Sequence, residues 1–320
     1  MYILKKNRVE LLYKKKLELL CFFTYILCFA SLSLSADTQT ISVMSFNVWN
    51  YFVKGEKSYP IKDEYSRNAV AATIANADPD IIMLSEIGGE KSVKDLSGRL
   101  SKLGLNYKYL NVMHGCDSWR HLGILAKLSP VTVDKQTELT YKIHPKKMPS
   151  GTLDTVPVQR GFFHLIFKKG KYKLHIISAH LKAKLFNSRY NQTDMRRSEA
   201  RLLRYLVDDI LKKNPDANLL VVGDFNDSCN SNPLKLLRGD TLKQSKRKLT
   251  DLKLYDRWHN SWTHWWHSED SYSRIDYALA SSGLIKEVDF SKSRIIHIPK
   301  LWNTASDHRP LMTVITAKDR

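Results

Sequence analysis

The sequence predicts a single α/β domain built on mixed β-sheets. Three observations predict it. Short apolar runs closed by turn residues, which read as buried strands, outnumber the stretches with helical spacing. Several runs are joined by hairpin-length turns, which a doubly wound parallel sheet would not contain. No internal repeat and no low-complexity linker interrupts the chain. Its 320 residues, 43% of them hydrophobic, suffice for one large domain or two small ones with a substantial core.

Taken in order, Ile41–Val48 (ISVMSFNV) reads as a first strand that ends near Asn47. Residues 51–63 are polar, with Gly55 and Pro60, and read as a loop. Glu64–Ala77 carries apolar residues at helical spacing and is broken by Asp78-Pro79-Asp80. Ile81–Leu84 is a second buried strand, delivering Glu86. Ser92–Leu103 is a helix closed by Gly104. Tyr107–Val112 and Leu122–Ala126 read as strands, followed by a loop marked by Pro145, Pro149, Gly151 and Pro157. Gly161–Phe167 and Lys173–Ser178 form a hairpin about Gly170, the second strand running on to His180. Thr193–Lys213 is a long helix whose outer face would carry Arg196, Arg197, Arg201 and Arg204.

Next comes LLVVGDFNDS, Leu219 to Ser228. Four apolar residues run without a break and are stopped by Gly223 and Asp224. If extended geometry persists past the glycine, Asp224 and Asn226 share a face, because strand side chains alternate. One is a pure acceptor and the other brings two N–H donors. Lys243–Lys248 is a charged loop. A Trp-rich segment, Trp258 to Trp266, precedes strand Ile275–Ala280, and the last strand, Leu311–Thr316, follows Asp307-His308.

The formal net charge is +19. Residues 37–320 alone carry 45 basic against 30 acidic side chains, or +15. A chain this basic favours a polyanionic partner such as nucleic acid, an anionic membrane or an acidic glycan. Residues 1–36 read as a secretory signal: Lys5, Lys6, Arg8 and Lys14–Lys16 precede an apolar run from Leu17 to Ala30, then Ser31, Ser33, Ser35 and Ala36. An uncleaved N-terminal anchor is the alternative. Export to a periplasmic or extracellular space is therefore expected. Cys21 and Cys28 fall inside this segment. Cys116 and Cys229 remain, their pairing is left open, and no Cys/His spacing suggests zinc.

One pattern ties these elements to a reaction. Strand after strand ends at a polar residue: Asn47, Glu86, His180, Asp224 with Asn226, Asp276, and Asp307 with His308. Such a set, restricted to Asn, Asp, Glu and His, points to one site at a shared sheet edge.

The stretches SFNV (45–48), LSEI (84–87), SAHLK (178–182), GDFND (223–227), RIDY (274–277) and SDHRP (306–310) resemble the endonuclease/exonuclease/phosphatase superfamily, whose members include deoxyribonuclease I, abasic-site endonucleases, neutral sphingomyelinases and inositol phosphatases. They occur in the family's order across residues 41–316. The resemblance implies a deoxyribonuclease I-like, four-layer sandwich of two mixed β-sheets flanked by helices, in an exported bacterial-type member.

It also implies phosphodiester hydrolysis, which needs a divalent cation, an activated water and donors around developing negative charge. Glu86 is then the leading metal ligand, with Asn47 beside it and Asp307 completing the set. Oxygen donors suit Mg²⁺, with Mn²⁺ or Ca²⁺ as alternatives. His308 and Asp276 form a pair that activates or positions the scissile group. Asp224 orients or deprotonates water, Asn226 binds a phosphoryl oxygen, and His180 contacts phosphate or serves as general acid. The division of acid and base between the imidazoles stays open. Arg160 stands where family nucleases often place a phosphate-contacting arginine, with a solvated surface charge as the alternative. Asp117, Arg120 and His121 read as a surface loop, with a place lining the cleft as the alternative. The tryptophans read as hairpin packing, with stacking on bases or contact with lipid as alternatives.

The substrate expectation is nucleic acid, DNA or RNA, cleaved by a monomer with no stable protein partner. Lys182, Lys184 and Arg189 after His180 would hold the phosphate backbone. A lipid or small phosphoester is the alternative, and a catalytically dead binding module is disfavoured by the intact residue set.

Overall fold

A computed structural model describes residues 39–56, 60–243 and 245–318. The segment read as a signal, residues 1–36, lies outside the described residues. In chain order the elements are β1 (Gln39–Tyr51), α1 (Glu64–Ala77), β2 (Ile81–Ile87), α2 (Glu90–Lys102), β3 (Tyr109–Met113) and β4 (His121–Ala126). Then come β5 (Thr132–Gln136), β6 (Thr140–Ile143), β7 (Asp154–Pro157), β8 (Phe162–Lys169), β9 (Tyr172–His180), α3 (Gln192–Lys213) and β10 (Asn218–Asp224). The last third holds α4 (Asn232–Arg238), β11 (Leu249–Asp251), β12 (His264–Trp266), β13 (Ser271–Ser273), β14 (Asp276–Ser281), β15 (Arg294–Ile295), α5 (Trp302–Ala305) and β16 (Leu311–Ala317).

Two six-stranded sheets result, ordered β15-β16-β1-β2-β4-β3 and β11-β14-β10-β9-β8-β5. Each has a parallel pair at its heart, β1–β2 and β9–β10, with antiparallel pairing of β2 to β4 in the first sheet and of β9 to β8 and β10 to β14 in the second. The sheets are therefore mixed, as the hairpin-length turns predict. Their facing sides share one apolar core, with Val43, Ile81 and Ile124 from the first sheet meeting Leu165, Leu220 and Val222 from the second. Helices α1 and α2 cover the outer face of the first sheet through Val70, Ile74, Leu96 and Leu100. Helices α3 and α4 cover that of the second through Leu203, Val207, Leu234 and Leu237. These are the four layers. A central strand buried on both faces needs apolar residues at every position, which is why LLVV does not alternate.

The helix starts follow local chemistry. Asp63 accepts from the Ser66 amide at the start of α1, and Asn191 accepts from Thr193 and Asp194 at the start of α3. Three expectations need correction. The stretch after Ala126, read as a loop, contains β5 and the hairpin β6–β7; these short edge segments mix polar and apolar residues and give no clean period. Helix α4 was missed, although Ser231 caps it, Pro233 opens it and Gly239 closes it at φ 73°; seven residues are too few to show periodicity. The basic outer face of α3 is only half right. Arg196 and Arg204 are buried, Arg196 against Asp227 (2.8 Å) and Arg204 against Asp208 (2.7 Å). Cys116 is exposed and Cys229 half-buried, and they are not bonded to each other. Among the described residues, no helix is long and apolar enough to cross a membrane.

Candidate active site

Strand register assembles the site. In the second sheet Asp224 pairs with His180 on one side and with Asp276 on the other. Three functional side chains from three strands thus lie in one row. Gly223, one residue earlier, has φ 140°, and a Cβ there would fall 1.9 Å from the Ala179 carbonyl oxygen. Only glycine allows β9 and β10 to approach so closely beside the row. Past the row, extended geometry does not persist. Asn226 has φ 54°, and its amide turns back to Asp224 Oδ1 at 2.9 Å. Asn226 still enters the cleft, with Nδ2 donating to the Leu181 carbonyl at 3.0 Å.

The first sheet contributes a bulge. The β1–β2 register slips between Asn47↔Ser85 and Tyr51↔Ile87, with Trp49, Asn50 and Glu86 all at positive φ. The bulge lifts Glu86 toward the second sheet, where Oε1 lies 3.8 Å from His180 Nε2. The Asn50 amide donates to Glu86 Oε2 at 3.2 Å, and Trp49 donates to Asn47 Oδ1 at 3.0 Å. Asn47 Nδ2 donates to Asp224 Oδ2 at 3.1 Å and lies 3.4 Å from His308 Nε2. Ser306 ties the loop before β16 to this edge, donating to the Asn47 carbonyl (2.8 Å) and accepting from the His308 amide (3.0 Å).

At the centre, His308 Nδ1 lies 2.8 Å from Asp276 Oδ2, and its Nε2 lies 3.8 Å from Asp224 Oδ2. His180 Nε2 approaches the same Asp224 oxygen at 3.5 Å. Thr263, fully buried, accepts from the amides of Ile275 and Asp276 and so fixes the start of β14. These groups open into a cleft of about 620 Å³.

The Endonuclease/Exonuclease/phosphatase family profile matches residues 44–308. The chain belongs to the endonuclease/exonuclease/phosphatase family. Members of this family are hydrolases acting on phosphoester bonds. Among solved structures, the chain is similar to a family protein from Leptotrichia buccalis C-1013-b (TM-score 0.54, 15% identity, 86% of this chain and 99% of that chain). It is similar to another from Bacteroides thetaiotaomicron (TM-score 0.56, 16% identity, 87% and 95%). Truncated TDP2 from Caenorhabditis elegans is a third (TM-score 0.53, 20% identity, 87% and 98%). No curated protein sequence matches the chain.

Burial sets the charge states of this family site. Asp224 is pushed up to about 7 by desolvation, then by repulsion from Asp276. Asp307 is pushed up to about 6 by desolvation, with Glu86 adding to it. Desolvation alone would lower His308, yet Asp276 holds it well above its ordinary value. His180 is driven well below by burial and stays neutral. The donor set fits a hard divalent cation: Glu86 and Asp307 are carboxylates close enough to repel, and the cation family members use would relieve that repulsion. Asn47 is less free, with Nδ2 directed at Asp224 and Oδ1 already accepting from Trp49.

Of the flanking residues, Arg160 is buried, not solvated. It is gripped by Asp117 at 3.0 Å, and its Nη1 is buried without a protein partner at the cleft. Arg120, read as surface, lines the cleft 3.7 Å from Glu86, and Asp117 serves Arg160. His121 turns instead toward His114 (3.2 Å). Arg189 is engaged by Asp154. Trp262 is packed among Tyr272, Trp302 and the Arg309 guanidinium, whereas Trp266 and Trp49 are each 44% exposed at the cleft. Sequence reasoning missed His264, whose ring lies 4.6 Å from that of His308 and whose Nε2 is 3.9 Å from Asp307. It also missed Lys62, buried and donating to the Trp49 carbonyl. Lys62 lies in a loop and His264 opens a strand of only three residues, so no local signal marked them.

Proposed function

We propose that the chain is a divalent-metal-dependent phosphodiester hydrolase, an exported nuclease acting on DNA or RNA. The observation that carries this reading is the cationic wall of the cleft: Arg120, Arg160, Lys182 and Lys184 stand beside the Asp224–His308 centre on a chain of net charge +19. Such a wall suits a backbone with a charge at every residue. Export rests on the composition of residues 1–36.

A cation held by Glu86 and Asp307 would neutralise charge on the phosphoryl oxygens. The chain's own groups do the rest. Asp224, near neutrality in its titration, takes a proton from water as that water attacks phosphorus and the P–O bond to the leaving oxygen breaks, the leaving oxygen taking a proton from solvent. His308, kept protonated by Asp276, is only 3.8 Å from Asp224, so the two act on one flank of the phosphate and not across the in-line axis. Its Nε2–H therefore faces a non-bridging oxygen, where it offsets developing charge. Asn47 and His180 hold the shared Asp224 oxygen from two sides, and the unpartnered Arg160 Nη1 is available to phosphate.

A second reading, a lipid or small-phosphoester hydrolase, is favoured by Leu185 and Phe186, which are 60% and 82% exposed in the loop after His180. A panel of plasmid DNA, RNA, sphingomyelin and inositol phosphates, each with Mg²⁺ or EDTA, separates the two. Mg²⁺-dependent nucleic-acid cleavage, abolished by EDTA, is expected. Lipid turnover with intact nucleic acid would overturn the nuclease reading.

A further inference from the structure

A second cluster of ligating side chains lies away from the catalytic cleft, on the outer face of the other end of the second sheet. Asp134, His164 and His175 come from three adjacent strands, β5, β8 and β9. Asp134 is directly opposite His164 in the register. His164 opposes Ile177 and Ile166 opposes His175, so the two histidines are diagonal neighbours. Phe163, Leu165, Leu174 and Ile176 point into the core between the sheets. Alternation therefore turns His164 and His175 the other way, toward α3. There they line a cleft of about 600 Å³ with Leu206, Asp209 and Lys213 of that helix. Sheet faces covered by a helix ordinarily present aliphatic residues, and two imidazoles with a carboxylate behind them are a costly choice for packing alone.

The geometry is specific. His164 Nε2 and His175 Nδ1 face each other across a hydrogen bond of 3.1 Å, with the rings nearly parallel at 17°, and an ion taken up between them would replace the shared proton. Two imidazole nitrogens bound to one ion at about 2.0–2.1 Å, with bond angles between octahedral and tetrahedral, are separated by about 2.9–3.4 Å. Asp134 Oδ2 lies 3.8 Å from the other nitrogen of His164, Nδ1, and Gln136 donates to both Asp134 oxygens at 2.8 Å. A carboxylate behind a ligating imidazole keeps the proton on the far nitrogen and leaves the near lone pair free. We propose that His164 and His175 form a two-imidazole site for a borderline divalent ion such as Zn²⁺, Ni²⁺ or Cu²⁺, oriented by Asp134 and completed by water in the cleft beneath α3. Such an ion would clasp edge strand β5 and hairpin β8–β9 together. Asp307 in the catalytic cleft also has two imidazoles, His264 and His308, within reach of one ion, so loss of binding in variants of His164 and His175 is what assigns an ion to this pair.

The test uses the full chain, stripped of metal and then titrated with Zn²⁺ or Ni²⁺ in excess Mg²⁺. One ion per chain should bind and raise the unfolding temperature. His164→Gln and His175→Gln should each weaken that binding by at least about tenfold and abolish the thermal shift, and Asp134→Asn should weaken it by about tenfold. Binding unchanged in both histidine variants, or no binding in excess Mg²⁺, overturns the proposal. If a variant fails to fold, anomalous diffraction from wild-type crystals soaked in Zn²⁺ decides. A peak between His164 Nε2 and His175 Nδ1 supports the site, and a peak confined to the catalytic cleft refutes it.

Discussion

Asp224 is where the residue-scale chemistry converges. One of its oxygens accepts from Asn47 and faces both His180 and His308, while the other takes the Asn226 amide. Burial and the neighbouring Asp276 raise its titration to about 7, so the base form appears as pH rises through that value. The rate of phosphodiester cleavage at limiting substrate should therefore climb through about pH 7, and a pH–rate profile should lose that limb in Asp224→Asn, with a fall of about 10²–10⁴-fold. Asp276→Asn removes the charge that keeps His308 protonated. We expect a loss of at least about 10²-fold in kcat, and imidazole NMR should show the His308 titration falling toward or below its ordinary value. A loss of rate with the His308 titration unmoved would break the link between the pair.

At the scale of elements, two buried arginines tie α3 to the loop after β10 and to α4. Arg196 pairs with Asp227, three residues beyond Asp224, and Arg204 binds Asp208 and the Leu237 carbonyl. Asp227→Ala would strand Arg196, 2% exposed, without its partner, at a cost of about 3–5 kcal/mol that urea unfolding would register. Asp208 is partly desolvated, which opposes ionisation, but hydrogen bonds from Arg204 and Arg247 outweigh this and depress its titration. A depressed carboxylate stabilises the fold above its unfolded value and loses that contribution as pH falls through the folded one. The gap in unfolding temperature between wild type and Asp208→Asn should thus be constant above about pH 4 and close below it. Neither arginine was legible as buried. The spacing of α3 places both on a stripe that a one-dimensional reading treats as polar surface, because their partners, Asp227 and the α4 backbone, lie elsewhere in the chain.

For the whole molecule, the governing feature is a basic chain whose catalytic cleft has a cationic wall. If the polyanion reading holds, nucleic-acid binding should weaken steeply with salt. Lys184→Ala should reduce the log–log salt slope by about 1 and weaken binding similarly for every sequence tested. Equal affinity at low and high salt would contradict it. The two sheets meet face to face over an apolar core, so the site at their common edge is held by packed strands, whereas Leu185, Phe186 and Trp266 are exposed on the loop after His180 and on the small hairpin.

Much of this was legible in one dimension. Buried strands announce themselves as short apolar runs, and the residues beside them are fixed to those runs by covalent neighbourhood: Glu86, His180 and Asp224 at C-terminal ends as expected, but Asn47 within β1, Asp276 at the start of β14 and His308 ahead of β16. What remained undetermined was everything set by register and burial. Asp224 meets Asn47 across 177 positions because two sheets pack, and His308 is charged while His180 is neutral because one has Asp276 within hydrogen-bond reach and the other is desolvated beside the Arg160 and His308 cations. His264 and Lys62 entered the site through a hairpin and a loop with no periodic signature, and Arg160, marked by the family resemblance, gave no sign of its burial. Local sequence encodes which residues a strand carries to its end. Long-range packing alone decides which of them touch and what charge each one bears.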